Sequence, residues 1–161
     1  MLIDLAKCIG CDACSVACKI ENNSPGNIWW APVVQKEFGK YPKAKLMFLP
    51  ILCMHCEDPP CLKSCPSKAI KKRDDGIVFV DEQKCCGSRA CLSACPYNAL
   101  HVWEENEPNF FEGGITPIEK LAEQKHRRGA SQKCTFCAHR MDQAAEQNLT
   151  PGVDRAATPA C

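Results

Sequence analysis

Apolar positions in this chain come in short clusters, broken by proline, glycine and charge. The longest apolar run, Leu46 to Met54, contains Pro50. It falls far short of the roughly 18 residues a membrane helix needs. Within it, Leu46 to Leu49 predicts a strand closed by Pro50. Ile77 to Val80 predicts another, following the turn signal Asp74-Asp75-Gly76 and ending at Asp81. Helical spacing appears only later. An insert over 101–133 opens polar and acidic (Glu104, Glu105, Glu107) and is broken by Gly113-Gly114. Thr116-Pro117-Ile118-Glu119 then reads as a capping box with proline at the first helical position. Ile118, Leu121 and Ala122 follow at helical spacing, and His126-Arg127-Arg128-Gly129 ends the helix. A last helix is predicted from about Ala138 to Asn148, stopping before Pro151-Gly152.

An internal repeat cuts across this pattern. Cys61-Leu62-Lys63-Ser64-Cys65-Pro66 through Ile70 matches Cys91-Leu92-Ser93-Ala94-Cys95-Pro96 through Leu100 at a fixed offset of 30. Repetition at a fixed period marks duplicated supersecondary units. The unit reads as loop, short helix, turn, strand.

Composition explains what the repeat carries. The chain has 15 cysteines in 161 residues. At that density the candidates are disulfides, structural zinc or iron–sulfur clusters. The first cysteine is Cys8, which leaves no room before it for a basic and an apolar region of a signal peptide. The expectation is a reducing, cytoplasmic setting, where disulfides are rare. The length suits one domain or two small halves, with metal centres replacing part of an apolar core. Formal net charge is +1, which gives no case for nucleic acid binding. Four bound clusters, each adding roughly two negative charges, would take the loaded chain to about −7.

The cysteines fall into four groups. The first is Cys8, Cys11, Cys14 and Cys18, spaced C-x2-C-x2-C-x3-C. The second is Cys53, Cys56, Cys61 and Cys65, followed by Pro66. The third is Cys85, Cys86, Cys91 and Cys95, followed by Pro96. The fourth is Cys134 and Cys137, with Cys161 far downstream. Zinc sites normally come as two well-separated pairs, which four cysteines within eleven residues do not resemble. The first spacing is instead the bacterial ferredoxin run, whose fourth cysteine serves another cluster. A tight loop with a ligand every third residue reaches three corners of a cubane. The fourth ligand must come from elsewhere, and a following proline suits the turn because it fixes φ and offers no N–H.

On these motifs the chain resembles the electron-transfer subunits of molybdenum- and tungsten-cofactor oxidoreductases, of the dimethyl sulfoxide reductase iron–sulfur type. The residues carrying the resemblance are Lys7 to Cys11, Ala17 to Asn23, Cys53 to Cys56, Arg89 to Cys91, Cys95 to Tyr97, and Lys133 to Cys137. The resemblance implies an α+β fold with two pseudo-symmetric dicluster ferredoxin-like halves, 1–50 plus 101–161 and 51–100. It implies four [4Fe–4S] clusters. Cys53, Cys56 and Cys61 would share one with Cys95. Cys85, Cys91 and Cys65 would hold the next. Cys8, Cys11 and Cys14 would hold a third, and Cys134, Cys137 and Cys161 a fourth with Cys18.

Two departures from that pattern stand out. Ser88 occupies a position where the family has cysteine, and Cys86 lies two residues earlier. Either Cys86 binds, or Ser88 binds through oxygen, or the corner is empty and the cluster is [3Fe–4S]. Thiolate is the softer ligand, which favours Cys86. The chain also stops at Cys161, where the family continues to one more cysteine, so either the cluster of Cys8, Cys11 and Cys14 has an unusual fourth ligand, or Cys161 serves it and the fourth cluster is incomplete. The shortened tail resembles the small subunits of multisubunit tungsten aldehyde oxidoreductases. Four all-cysteine clusters need sixteen thiolates, one more than the 15 present. One cluster therefore has a non-cysteine ligand, a missing iron or a ligand from a partner.

Other residues carry two readings each. His55 either tunes a cluster through a hydrogen bond to sulfur or simply packs. His101 and His139 read as surface residues. Trp29 and Trp30 suit a subunit interface or a core equally. Lys120, Lys125, Arg127, Arg128 and Lys133 face an acidic partner, offset cluster charge or, more commonly for such a run, form a solvated helix face. No phosphate loop or nucleophile motif appears. The expected function is a relay of electrons to or from a pterin-containing catalytic subunit acting on aldehydes, carboxylic acids or other small molecules in anaerobic metabolism. A further donor or acceptor subunit, or copies of itself, would complete the partners. The competing reading is an iron–sulfur sensor or scaffold with one labile cluster. A self-contained enzyme would need an open iron corner, for which only the Ser88 site is a candidate.

Overall fold

A computed structural model describes residues 3–105, 114–150 and 158–161. Its elements are short. They are α1 (Ala13–Asn22), β1 (Val33–Phe38), β2 (Lys45–Pro50), α2 (Pro60–Lys63), β3 (Ile70–Lys72), β4 (Val78–Val80), α3 (Ala90–Ala94), β5 (Leu100–Val102), α4 (Pro117–Lys125), β6 (Ser131–Lys133) and α5 (Ala138–Glu146). The strands pair antiparallel as three two-stranded sheets, β1 with β2, β3 with β4 and β5 with β6. Two-stranded sheets are marginal by themselves, so each needs packing from elsewhere. The result is a small mixed α+β architecture.

The repeat is built as the sequence implies, with one correction. Each unit is a short helix followed by a strand, α2 to β3 and α3 to β5. Lys68 and Asn98, 30 apart, share a left-handed φ of 51° at the turn between them. Ala69 and Ala99, then Ile70 and Leu100, are buried at matching positions. The strand expected at Ile77 to Val80 is β4, the hairpin partner of β3, rather than the strand of the unit itself. The second unit finds its partner far away in sequence: Leu100 pairs with Lys133, His101 with Gln132 and Val102 with Ser131. The end of the 101–133 insert thus returns, after α4, to close a sheet with β5.

Other expectations hold at the level of single bonds. The Thr116 hydroxyl accepts from Glu119 N–H at 3.3 Å, and Glu119 Oε2 accepts from Thr116 N–H at 2.7 Å. Both orphan donors at that helix start are satisfied reciprocally. His126 ends α4, its N–H donating to Ala122 O. The last helix stops at Glu146, two residues before the expected Asn148. Glu107, Gly113, Pro151 and Gly152, invoked above, lie outside the described residues.

Two buried clusters form the core. One contains Cys61, Ile70, Val78, Cys91 and Leu100. The other contains Cys18, Ile28, Trp30, Ala31, Leu52, Trp103 and Cys134. Polar ties hold the second together. Lys19 Nζ donates to the carbonyls of Ser24, Pro25, Gly26 and Ile28 at 2.8–3.2 Å, fixing the loop after α1. Ser15 Oγ donates to Ala31 O at 2.6 Å. The ring of His126 sits between Glu82 Oε1 and Asn22 O, each 2.8 Å away, and edge-on to Trp30. Trp30 is therefore core, while Trp29 is partly exposed.

A surface clamp joins the β3–β4 turn to α5. Arg73 donates to both oxygens of Asp142, at 2.9 and 2.6 Å. That hydrogen bonding holds the Asp142 carboxyl below the usual carboxylate range. Its folded value is depressed, so its contribution is present above the unfolded value and is lost as pH falls through the folded one. Solvent exposure limits the pair to less than about 1 kcal/mol. Asp142→Asn should lower the melting temperature by less than about 4 °C near neutral pH, and the difference should vanish in acid, as calorimetry across pH would show.

Candidate metal centres

All fifteen cysteines lie among the described residues and carry free thiols. Four of them line one apolar cavity: Cys53, Cys56 and Cys61 from the second group and Cys95 from the third. Met54, Pro59, Pro60, Val78, Tyr97 and Leu100 complete its walls. The two groups meet there because α2 and α3 pack against each other. Burial pushes the Cys61 thiol up, and the charges of Cys53 and Cys95 add to the effect while Lys133 opposes it.

A second set surrounds Cys18. Burial, then the charges of Cys134, Cys161 and Cys137, push its thiol up to about 12. Cys134 is pushed to about 11, first by burial. Main-chain N–H groups point at these sulfurs: Phe136 N–H at 3.4 Å from Cys134 Sγ and Ala160 N–H at 3.5 Å from Cys137 Sγ. Asn22 Nδ2 lies 3.6 Å from Cys18 Sγ. Left-handed backbone at Phe136 and Cys137 turns the loop so that this is possible.

The third set centres on Cys91, whose thiol burial pushes up, with Cys85 and Cys65 adding to the rise. Ser131 serves it twice. Its hydroxyl lies 3.3 Å from Cys91 Sγ, and its N–H donates to Cys85 Sγ at 3.5 Å. At Cys65 burial acts upward but is outweighed by hydrogen bonds from the Ser67 hydroxyl and nearby N–H groups, and the thiol falls below its ordinary value. The exposed Cys86 thiol is also lowered, first by Ser88 N–H and then by the Ser67 and Ser88 hydroxyls. Ser67 thus touches both Cys65, at 3.6 Å, and Cys86.

Cys8, Cys11 and Cys14 lie on the loop entering α1, with Cys14 inside its first turn. Their loop shares its backbone with the third group. Gly10 and Asp12 are left-handed, and so are Gly87 and Arg89 at the corresponding places. Ser88 stands where Cys11 does, and Cys86 where the exposed Ile9 does. Charge also links the sets: Cys14 adds to the upward push on the Cys161 thiol, and Cys53 to that on Cys134.

These donor sets suit an iron–sulfur core. Soft thiolates in fours, with N–H groups aimed at sulfur, favour a metal centre whose ligands stay anionic. Thiolates of one tetrahedral zinc would sit roughly 3.8 Å apart, by its bond length of about 2.3 Å. Among the described residues no three Cys, His, Asp or Glu side chains converge that way on a single ion.

Several sequence expectations change here. Lys133 is not on a solvated helix face: it is 1% exposed on strand β6, because its cross-strand partner Leu100 faces the core. His55 binds main chain rather than sulfur, its Nδ1 accepting from Val78 N–H at 2.9 Å. Burial and then Lys133 lower its pKa to about 4. His101 is half-buried, not a surface residue, with Nε2 shut from water and its pKa lowered by that burial. His139 is partly exposed, 2.8 Å from Glu21. Ser131 carried no signal in the sequence, since it belongs to no cysteine motif, and Asn22 entered only as part of the stretch Ala17 to Asn23 that carries the resemblance.

These features define a class, a small α+β protein whose thiols gather into several iron–sulfur donor sets. Comparison with known proteins narrows it. Residues 44–110 match the 4Fe-4S dicluster domain. The chain is 42% identical to a subunit of the selenate reductase of Mesobacillus selenatarsenatis, over 88% of this chain and 52% of that protein. It is 40% identical to a protein named as a putative dimethyl sulfoxide reductase iron-sulfur subunit of Halobacterium salinarum, over 88% and 57%. It is 33% identical to the arsenate respiratory reductase iron-sulfur subunit of a Shewanella species, over 88% and 72%. The chain belongs to this family of reductase iron–sulfur subunits. It spans about half the length of the first of these relatives. Among the described residues no helix is long and apolar enough to cross a membrane.

The loop of the first group depends on Gly10. A Cβ there would meet the Phe48 ring at 2.2 Å, and its φ is +69°. Gly10→Ala should cost on the order of 1–3 kcal/mol from backbone strain, and more if the ring cannot move. Limited proteolysis should then cut the β1–β2 hairpin faster than in the parent protein, because Phe48 anchors it to the loop.

Proposed function

We propose that the chain is a non-catalytic electron-transfer subunit that passes electrons along a row of four clusters, to or from a molybdenum- or tungsten-pterin catalytic subunit. The observation that carries this is the crossed pooling of thiols, four of them from two sequence groups around one cavity. Cys53, Cys56, Cys61 and Cys95 would hold one cluster. Cys18, Cys134, Cys137 and Cys161 would hold its neighbour. Cys65, Cys85 and Cys91 would hold the next, completed by Cys86, whose thiol is steered by the same Ser67 that meets Cys65. Cys8, Cys11 and Cys14 supply three ligands of the last, whose fourth is not among the fifteen thiols. The names of the relatives support the partner, since each is a subunit of a reductase. The two buried cores support a division into two ferredoxin-like halves, 1–50 plus 101–161 and 51–100. A reducing, cytoplasmic setting suits so many free thiols.

When bound, the clusters supply one-electron oxidation and reduction over a range of roughly −700 to +450 mV. The chain's own residues do the rest. Burial around Cys18 and Cys134 keeps water out. N–H groups on sulfur from Ser131, Phe136 and Ala160 stabilise added negative charge. The charge of Cys14 acting on Cys161 and that of Cys53 acting on Cys134, with the α2–α3 contact, support that order.

Substrate added to the purified complex should bleach the visible absorption of this subunit on the turnover timescale, with the protein intact. A chain whose absorption changes only as iron is lost would instead be a sensor. The pairing has its own test. Cys53→Ala and Cys95→Ala should abolish the same electron paramagnetic resonance signal, and Cys65→Ala and Cys91→Ala a different one. Cys86→Ser should alter that second signal, whereas Ser88→Ala should leave it unchanged.

A further inference from the structure

Lys133 is buried where few lysines are. Its Nζ donates to the carbonyl of Cys134 at 3.0 Å and to that of Val78. Among the described residues no carboxylate lies within ion-pair distance of it. A buried cation with only carbonyl partners is costly unless an anion is near. The near groups that can carry negative charge are thiols from two different sets. Its charge opposes the rise that burial imposes on the Cys61 thiol of one set and the Cys134 thiol of the other. Val78, its other partner, lines the cavity of Cys53, Cys56, Cys61 and Cys95. Lys133 therefore sits at the boundary between two neighbouring donor sets.

We infer that Lys133 is the shared counter-cation of the two middle clusters and raises the potentials of both. The inference rests on the cluster reading above. Reduction brings one electron to a set from its neighbour; no bond forms or breaks and no proton moves. The added negative charge is stabilised by the fixed ammonium, which favours the reduced form. The same charge offsets repulsion between two adjacent anionic sites. Ser131, two residues earlier on β6, serves the Cys85 and Cys91 set through hydrogen bonds instead, without a charge. One three-residue strand thus gives neighbouring clusters different electrostatic support.

The test is a redox titration of the purified complex followed by electron paramagnetic resonance, with iron counted in each sample. Lys133→Gln keeps a hydrogen-bond donor and removes the charge; Lys133→Met removes both. In both variants the potentials of the Cys53/Cys56/Cys61/Cys95 and Cys18/Cys134/Cys137/Cys161 clusters should move downward, while the other two stay. Selective loss of iron from those two sites would also support the inference. Full iron with no potential moved would overturn it. So would uniform loss of iron from every site, which marks a packing residue only. Absence of clusters from the parent protein is a separate outcome that overturns the cluster reading itself.

Discussion

Thiols drawn together in a dry interior repel one another as soon as they ionise, and the architecture depends on what relieves that repulsion. Cys18 shows the scale: with no metal in place, burial and three neighbouring thiols push it to about 12. A positive metal core would relieve that repulsion, which couples metal binding to folding in such sites. The short elements fit this. Strands of three residues and two-stranded sheets cannot organise a domain by themselves. Both buried clusters have cysteine at their centre, and they would be thin cores without the metal they surround.

Function follows from the same arrangement. In the proposed assignment, the first three motifs would each reach three corners of one cluster and lend their last cysteine to another, so the chain itself would tie neighbouring sets. The left-handed residues in the loops turn N–H groups toward sulfur, which both stabilises the thiolate and adjusts how readily an electron is accepted. In the proposed relay a partner would supply the chemistry, and this chain distance, dryness and charge.

Much of this was legible in the sequence, and the limits have physical reasons. Cysteine spacing and the repeat at offset 30 identified the donor groups, because ligand geometry demands fixed spacings. The Thr116–Glu119 capping box was legible because it is a local, reciprocal pair of bonds. Strands β3, β5 and β6 were not, since three residues hold too little periodicity to register. Their pairing across the 101–133 insert is a long-range fact with no local signal. The burial of Lys133, which rules out the solvated-face reading, has no local signal for the same reason. Beside Arg127 and Arg128 it looked like part of a solvated basic run, and only the register with Leu100 buries it.

The central claim is that the fifteen thiols hold a row of iron–sulfur clusters, and metal content with electron paramagnetic resonance tests it most directly. Protein purified without oxygen should contain about sixteen irons and a matching amount of acid-labile sulfide per chain, with interacting signals on reduction. Fewer than about eight irons, or zinc in their place, would contradict the account.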